Sequence, residues 1–257
     1  MLKDLGRGST KEEKAKLRRE VWDELLKAGA ALPPLPPHGR IPNFKGAERA
    51  AELLASLPEW RNARVVKVNP DSPQRWVRLR ALLEGKTLLM PTPRLREGFI
   101  LLDPRRIPRR LFDKASTIRG AFEVGVKLPT IESLLSNIRR VDLIVEGSVV
   151  VNEWGERLGK GEGYGELEYA ILLELGIIEP EVVIATTVHD LQVTSRRIPQ
   201  DPYDVPVDII VTPTRVIRVE RRESRPPGIL WELLSEDKLR EIPILSQLRE
   251  YRRELRA

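Results

Sequence analysis

Apolar positions along this chain recur at two spacings, and the exchange between them outlines the fold. From Thr10 to Ala28 the spacing is helical: Leu17, Val21, Leu25 and Ala28 share a face, with Trp22 and Leu26 beside it. Thr10 is placed to cap this helix, Glu13 sits at the capping-box distance, and Gly29 offers a stop. A stiff, extended connector follows, with prolines at 33, 34, 36 and 37. A short helix through Ala51, Leu53 and Leu54 precedes a strand over Ala63 to Val68. Ser72 to Leu83 predicts another helix, and Thr87 to Met90 and Gly98 to Leu102 predict two further strands.

The stretch from Asp103 to Lys127 is rich in arginine and has no clear period. Beyond it, Thr130 to Ile138 predicts a helix, Val141 to Val145 a strand, and Ser148 to Val151 a second strand. Glu166 to Leu175 predicts a helix, and Val182 to Thr187 and Val207 to Val211 predict buried strands. From Arg215 onward the pattern changes. Ile229 to Leu234 and Leu239 to Leu255 read as a basic helical tail with a break at Pro243. No internal repeat is evident. Strands alternating with helices predict an α/β layer fold with a mainly parallel sheet, and in such sheets ligands sit beyond the carboxyl ends of the strands.

Composition narrows the chemistry. With no cysteine, a disulfide framework, a thiol nucleophile and a cysteine-ligated metal are all excluded, and two histidines argue against a histidine-rich metal site. A charged fraction of 32%, two methionines and 21 prolines lean towards heat stability. No apolar run reaches the roughly 18 residues of a membrane span. The opening Met1-Leu-Lys-Asp-Leu-Gly-Arg-Gly lacks the apolar core of a signal peptide, so the expected location is the cytoplasm. The net charge of +6 suits anionic partners: nucleotides, phosphorylated or polyglutamylated small molecules, or nucleic acid. A solvated basic surface is the plainer account of the same charge.

The segment Gly155-Glu-Arg-Leu-Gly-Lys-Gly-Glu-Gly-Tyr-Gly-Glu carries the strongest chemical signal. Glycines at 159, 161 and 163 alternate with other residues, Arg157 and Lys160 stand among them, a β-rich run precedes and a helical pattern follows. Strand, glycine loop and helix in that order can cradle phosphate, because glycine lets the backbone approach an anion and the helix N-terminus adds partial positive charge. The spacing matches neither the Walker loop nor the dinucleotide fingerprint. A glycine-rich turn with no ligand is the alternative.

These residues carry a resemblance. Val141-Asp-Leu-Ile-Val, the glycine segment with its Tyr164, and Asp204-Val-Pro-Val-Asp-Ile-Ile-Val-Thr-Pro resemble the 5-formyltetrahydrofolate cyclo-ligase family. Arg40-Ile-Pro-Asn-Phe-Lys-Gly-Ala and Val188-His-Asp-Leu-Gln-Val resemble its divergent branch, the methenyltetrahydrofolate synthase domain-containing proteins. The likeness covers most of residues 10 to 218. It implies a three-layer α/β domain of the ribose-5-phosphate isomerase and CoA-transferase type over 1–218, including the N-terminal helix, with a basic helical extension over 219–257. It implies Mg-ATP and a formyl-pterin as reactants. Phosphorylation of the formyl oxygen is followed by ring closure to the 5,10-methenyl form, chemistry that depends on neutralising charge around a transferring phosphoryl group.

Carried over by position, the resemblance gives Lys14 and Arg18 to the ATP phosphates, about one helical turn apart. It gives Arg157 and Lys160 catalytic roles, and wraps Gly159, Gly161, Gly163 and Tyr164 around the nucleotide and formyl group. Glu166 and Asp204 become ligands for Mg²⁺, which takes a few carboxylates together with phosphate oxygens and water. Glu166 is alternatively a carboxylate at a helix start, and Lys14 and Arg18 a charged helix face. Pro42 and Phe44 read first as a packed turn, with Arg40, Asn43 and Lys45 as candidates for the pterin or glutamate end, and Gln192 is a candidate for the folate pocket. His189 beside Asp190 invites an acid-base reading, with a hydrogen-bonded structural histidine as the other. Asp208 reads as structural. The chain departs from the family at Gly165 and Glu166, where tyrosine and aspartate are usual. Asp71 lies near the place of the acidic folate-contacting residue. A second reading, less favoured, is a non-catalytic nucleotide- or RNA-binding protein on the same scaffold, motivated by Arg105 to Arg110 and the basic tail from Arg249 to Arg256.

Overall fold

The structure, a computed structural model, describes residues 3–254. Met1 and Leu2 of the segment read for a signal peptide lie outside them, as do Leu255, Arg256 and Ala257 at the end of the basic tail. Eight strands form the central sheet. From one edge they run Val216–Arg218, Ile209–Val211, Val183–Thr187, Leu143–Glu146, Val65–Val68, Thr87–Pro91, Phe99–Leu102 and Val126–Leu128. The five from Ile209–Val211 to Thr87–Pro91 are parallel, and the edges are antiparallel. After Val65–Val68 the chain builds the sheet outward to one side. From Leu143–Glu146 it builds to the other. The strand order therefore reverses between these two neighbours, which opens a crevice at their carboxyl ends.

Side chains alternate across the sheet and fill two cores. Val66, Val68, Leu88, Met90, Leu143 and Val145 face helices Ala47–Ala55 and Arg75–Leu83. Leu89, Ile144, Ile184 and Ile210 face the other way, onto the helix Tyr164–Glu174 and the C-terminal helices. The helix Ala47–Ala55 shows why this works: Ala47, Ala50, Ala51 and Leu54 are its buried positions, a stripe at helical spacing. The result is a three-layer α/β/α fold with a mainly parallel sheet.

A third, smaller core seats the N-terminal helix. Leu17, Val21, Trp22 and Leu25 pack on Val149, Val150 and Leu158 of a three-stranded sheet formed by Val193–Thr194, Val150–Asn152 and Arg157–Leu158. That helix runs Lys3–Lys27, so Thr10 lies inside it and does not cap it. Ala28 falls past its end and is exposed, and Ala30 is buried in its place.

The arginine-rich stretch resolves into short helices Phe112–Ala115 and Ile118–Val124 and the edge strand Val126–Leu128. Helix Ile131–Asn137 starts from a capping box at Thr130 and Ser133. In the tail, Pro243 opens the helix Pro243–Glu254, where its missing N–H costs no hydrogen bond. Ile242, Ile244, Leu245 and Leu248 of the tail are buried in the same core as the sheet.

Candidate active site

The crevice at the strand reversal opens into a cavity of about 1300 Å³. Its floor comes from the turn after Val65–Val68. Arg78, buried in its helix, donates to the carbonyls of Asn69, Asp71 and Ser116, which pins Asn69 and Asp71 at the cavity edge. Burial lowers the Arg78 guanidinium to about 9. Burial pushes the Asp71 carboxyl up, with Lys160 and Arg78 pulling the other way.

The glycine segment forms one wall. Arg157–Leu158 pairs antiparallel with Val150–Val151, and the chain then turns through the glycines into the helix that starts at Tyr164. Gly161 has φ +104°, a conformation side chains rarely adopt, and a Cβ there would lie 3.3 Å from Cζ of Arg18. Arg18 reaches over from the N-terminal helix and donates from Nε to the Gly159 carbonyl at 2.7 Å. Burial lowers the Arg18 guanidinium, against the pull of Glu166 and Asp204. Lys160 stands at the loop tip, 37% exposed, with Nζ 3.0 Å from Oε2 of Glu162.

Arg157 lies beneath the loop, 4% exposed. Its Nη2 donates to Oε1 of Glu166 at 2.9 Å and lies 4.0 Å from Oε2 of Glu146. Burial works against its charge, but Glu166 and Glu146 outweigh it and hold the guanidinium above its usual range. Gly165 permits this approach, because a Cβ there would sit 3.0 Å from both Arg157 Nη2 and Glu146 Oε2. Gly165 thus makes room for a buried charge pair.

Lys14, one turn before Arg18, is also buried. It donates to Asp201 at 2.6 Å and pairs closely with Asp204. Burial pushes the Asp204 carboxyl up, and Lys14 opposes it.

Lys14, Arg18, Arg157, Gly159, Lys160, Gly161, Gly163, Tyr164, Glu166 and Asp204 all line this one cavity. Arg40, Asn43, Lys45 and Gln192 are not among its lining residues. Asn43 Nδ2 donates to the Pro33 carbonyl, and Gln192 Nε2 donates to the Ser148 carbonyl. His189 is a turn residue: its Nδ1 accepts from Leu191 N–H and its N–H donates to Gln192, and burial lowers it. Asp208 accepts from Ile184 N–H and pairs with Arg225.

Sequence reasoning missed a buried charge cluster behind the glycine wall. Lys67 is 1% exposed, donates to Glu146 at 2.7 Å and Asn69 at 3.0 Å, and pairs with Glu168. Burial pushes the Glu168 carboxyl up to about 7; Lys67 opposes this and Glu146 adds to it. Lys67 itself is penalised by burial, but Glu146 and Glu168 prevail and raise it. A lysine inside Val-Val-Lys-Val and a glutamate ending Leu-Ile-Val-Glu were the available signals, since a charge in a buried strand needs a partner.

Among the described residues, no group of three or more His, Cys, Asp or Glu side chains is arranged to hold a metal by itself. Two carboxylates, Glu166 and Asp204, line the cavity, the first paired with Arg157 and the second with Lys14. Lys160, Arg18 and the glycine loop line it too. No helix among the described residues is long and apolar enough to cross a membrane.

The chain is similar to several known proteins. The methenyltetrahydrofolate synthase domain-containing protein of Mus musculus is 42% identical over 242 residues, covering 92% of this chain and 63% of that protein. The Homo sapiens protein of that name is 39% identical over 241 residues, covering 92% and 61%. The chain thus spans less than two thirds of the length of these relatives. A probable 5-formyltetrahydrofolate cyclo-ligase of Schizosaccharomyces pombe is 25% identical over 177 residues, covering 64% of this chain and 82% of that protein. Among solved structures, the 5,10-methenyltetrahydrofolate synthetase of Aquifex aeolicus aligns over 86% of this chain and 99% of that one, at 22% identity and a TM-score of 0.49. The family model for 5-formyltetrahydrofolate cyclo-ligases matches residues 10–213, a span that takes in Lys14, Arg18, the glycine loop and Asp204. The chain belongs to the 5-formyltetrahydrofolate cyclo-ligase family.

Proposed function

We propose that this chain is an ATP-dependent cyclo-ligase that converts 5-formyltetrahydrofolate, or a related formyl-pterin, to the 5,10-methenyl form. The observation that carries the reading is the convergence of the glycine loop with Lys14, Arg18, Arg157 and Lys160 in one cavity at the strand reversal. Mg-ATP, when bound, supplies the phosphoryl group that activates the formyl oxygen. Glu166 and Asp204 would hold the magnesium.

The chain's own groups then have distinct tasks. Arg18 fixes the loop by its bond to Gly159. Lys160, half-exposed, exchanges Glu162 for an anionic oxygen and neutralises charge where it develops. Arg157, buried and paired, orients Glu166. Asn69 and Asp71 face the same space from the switch point and can accept or donate hydrogen bonds to a pterin ring.

The test is the absorbance of the methenyl product after mixing the protein with Mg²⁺, ATP and 5-formyltetrahydrofolate. Product formation is expected. ATP binding without product from any formyl-pterin would overturn the reading and favour a non-catalytic binding protein, for which salt-sensitive RNA binding is the next measurement.

A further inference from the structure

The cavity lining is of two chemical kinds. The N-terminal helix and glycine loop contribute Lys11, Lys14, Arg18 and Lys160. Leu230, Leu233 and Leu234 also line it, and they come from the segment after residue 213, beyond the stretch matched to the family. Ile118 adds to the cavity from a separate helix. Leu233 and Ile118 are 36% and 39% exposed, large apolar side chains left uncovered inside a concave site. The C-terminal segment is held to the glycine wall by specific contacts. Tyr164 Oη donates to Glu241 at 2.9 Å, and Lys238 Nζ lies 3.2 Å from the centre of the Tyr164 ring. Arg94 joins both sides, 3.5 Å from Glu162 and 3.6 Å from Glu241.

We propose that Leu230, Leu233, Leu234 and Ile118 form the binding wall for the aromatic arm of the formyl-pterin, so that the C-terminal extension completes the substrate site. This rests on the cyclo-ligase reading above. Charge complementarity selects the occupant. A polyphosphate belongs among the cations, and the part of the second substrate without hydrogen-bonding groups belongs on the apolar wall, where its burial is favourable. Arg94, Arg96 and Lys238 line the cavity beside that wall, suited to carboxylates carried at the far end of the arm.

The experiment measures binding of 5-formyltetrahydrofolate and of ATP separately, by calorimetry on the full chain, for wild type, Leu233→Glu, Ile118→Glu and a control, Leu135→Glu, on an exposed residue outside the cavity. The two wall variants, on different elements, are expected to weaken the pterin about tenfold or more while leaving ATP and the far-ultraviolet circular dichroism unchanged. The control is expected to match wild type. Pterin affinity unchanged in both wall variants would overturn the wall alone. Equal loss of ATP would overturn it too, by making the wall part of the nucleotide site. A wild type that binds ATP but no formyl-pterin would overturn the substrate assignment, and with it the cyclo-ligase reading.

Discussion

Arg18 and Gly159 meet across 141 residues of sequence, the Arg18 Nε–H donating to the Gly159 carbonyl at 2.7 Å. This bond ties the N-terminal helix to the glycine loop. Arg18→Ala is expected to cost about 1–2 kcal/mol of stability and to weaken ATP roughly tenfold. Arg18→Lys is not expected to restore binding, because an ammonium lacks the fixed planar Nε–H donor that meets the Gly159 carbonyl. Urea unfolding and ATP calorimetry measure both effects. Wild-type ATP affinity in the alanine variant would refute a role for this contact.

Gly161→Ala strains the same loop from inside. Its φ of +104° and the nearness of Arg18 leave a methyl group poorly placed. A cost of about 1–2 kcal/mol is expected for the backbone alone. The Michaelis constant for ATP should rise, and unchanged nucleotide kinetics would show that the loop conformation is not required.

Lys160→Ala is expected to abolish formyl-dependent ATP turnover while circular dichroism and the unfolding midpoint stay at wild-type values. The half-exposed lysine contributes little to the core. Normal turnover would remove it from the mechanism.

Lys67→Met leaves Glu146 and Glu168 buried without their ammonium partner. Removing one partner of a buried pair costs about 3–5 kcal/mol. The double variant Lys67→Met, Glu146→Gln should recover part of that loss, because a neutral amide replaces one of the two buried carboxyl groups. Chemical denaturation reads both. A single variant within 1 kcal/mol of wild type would contradict the buried network.

Glu168 also gives a pH signature. Its carboxyl is raised from an ordinary value near 4.5 to about 7, so the folded state keeps a proton that the unfolded chain has released. Its contribution is fully present below about 4.5 and is lost as pH rises through about 7. The loss is on the order of 1–3 kcal/mol. Unfolding free energies at pH 5 and pH 8 should therefore differ less in Glu168→Gln than in wild type. Equal differences in the two proteins would place the proton elsewhere.

Local pattern by itself determined most of the layered framework. Runs such as Leu143–Val145 and Ile209–Val211 are apolar and rich in β-branched residues, and the stripe in Ala47–Ala55 has helical spacing, so each element declares itself from neighbouring residues. The glycine loop and its flanking strand and helix were visible for the same reason. Thr10 misled because a capping residue looks alike at the start of a helix and within one. The stretch from Asp103 to Lys127 stayed unassigned because its helices are one or two turns long, too short to show a period.

Tertiary structure decided what surrounds the loop. Lys67 meets Glu146 and Glu168 only because two strands become neighbours and a helix crosses above them, and a burial that opposes charge makes such pairs necessary without naming the partners. Arg157 turns inward to Glu166 because Gly165 leaves space, a close approach that spacing along the chain cannot reveal. The return of Leu230 and Leu233 to the cavity depends on Ile242, Ile244 and Leu245 finding the same core as the sheet. Burial of apolar surface is non-directional, so the sequence marks these residues as needing cover, and only the assembled fold determines what covers them and which cavity they enclose.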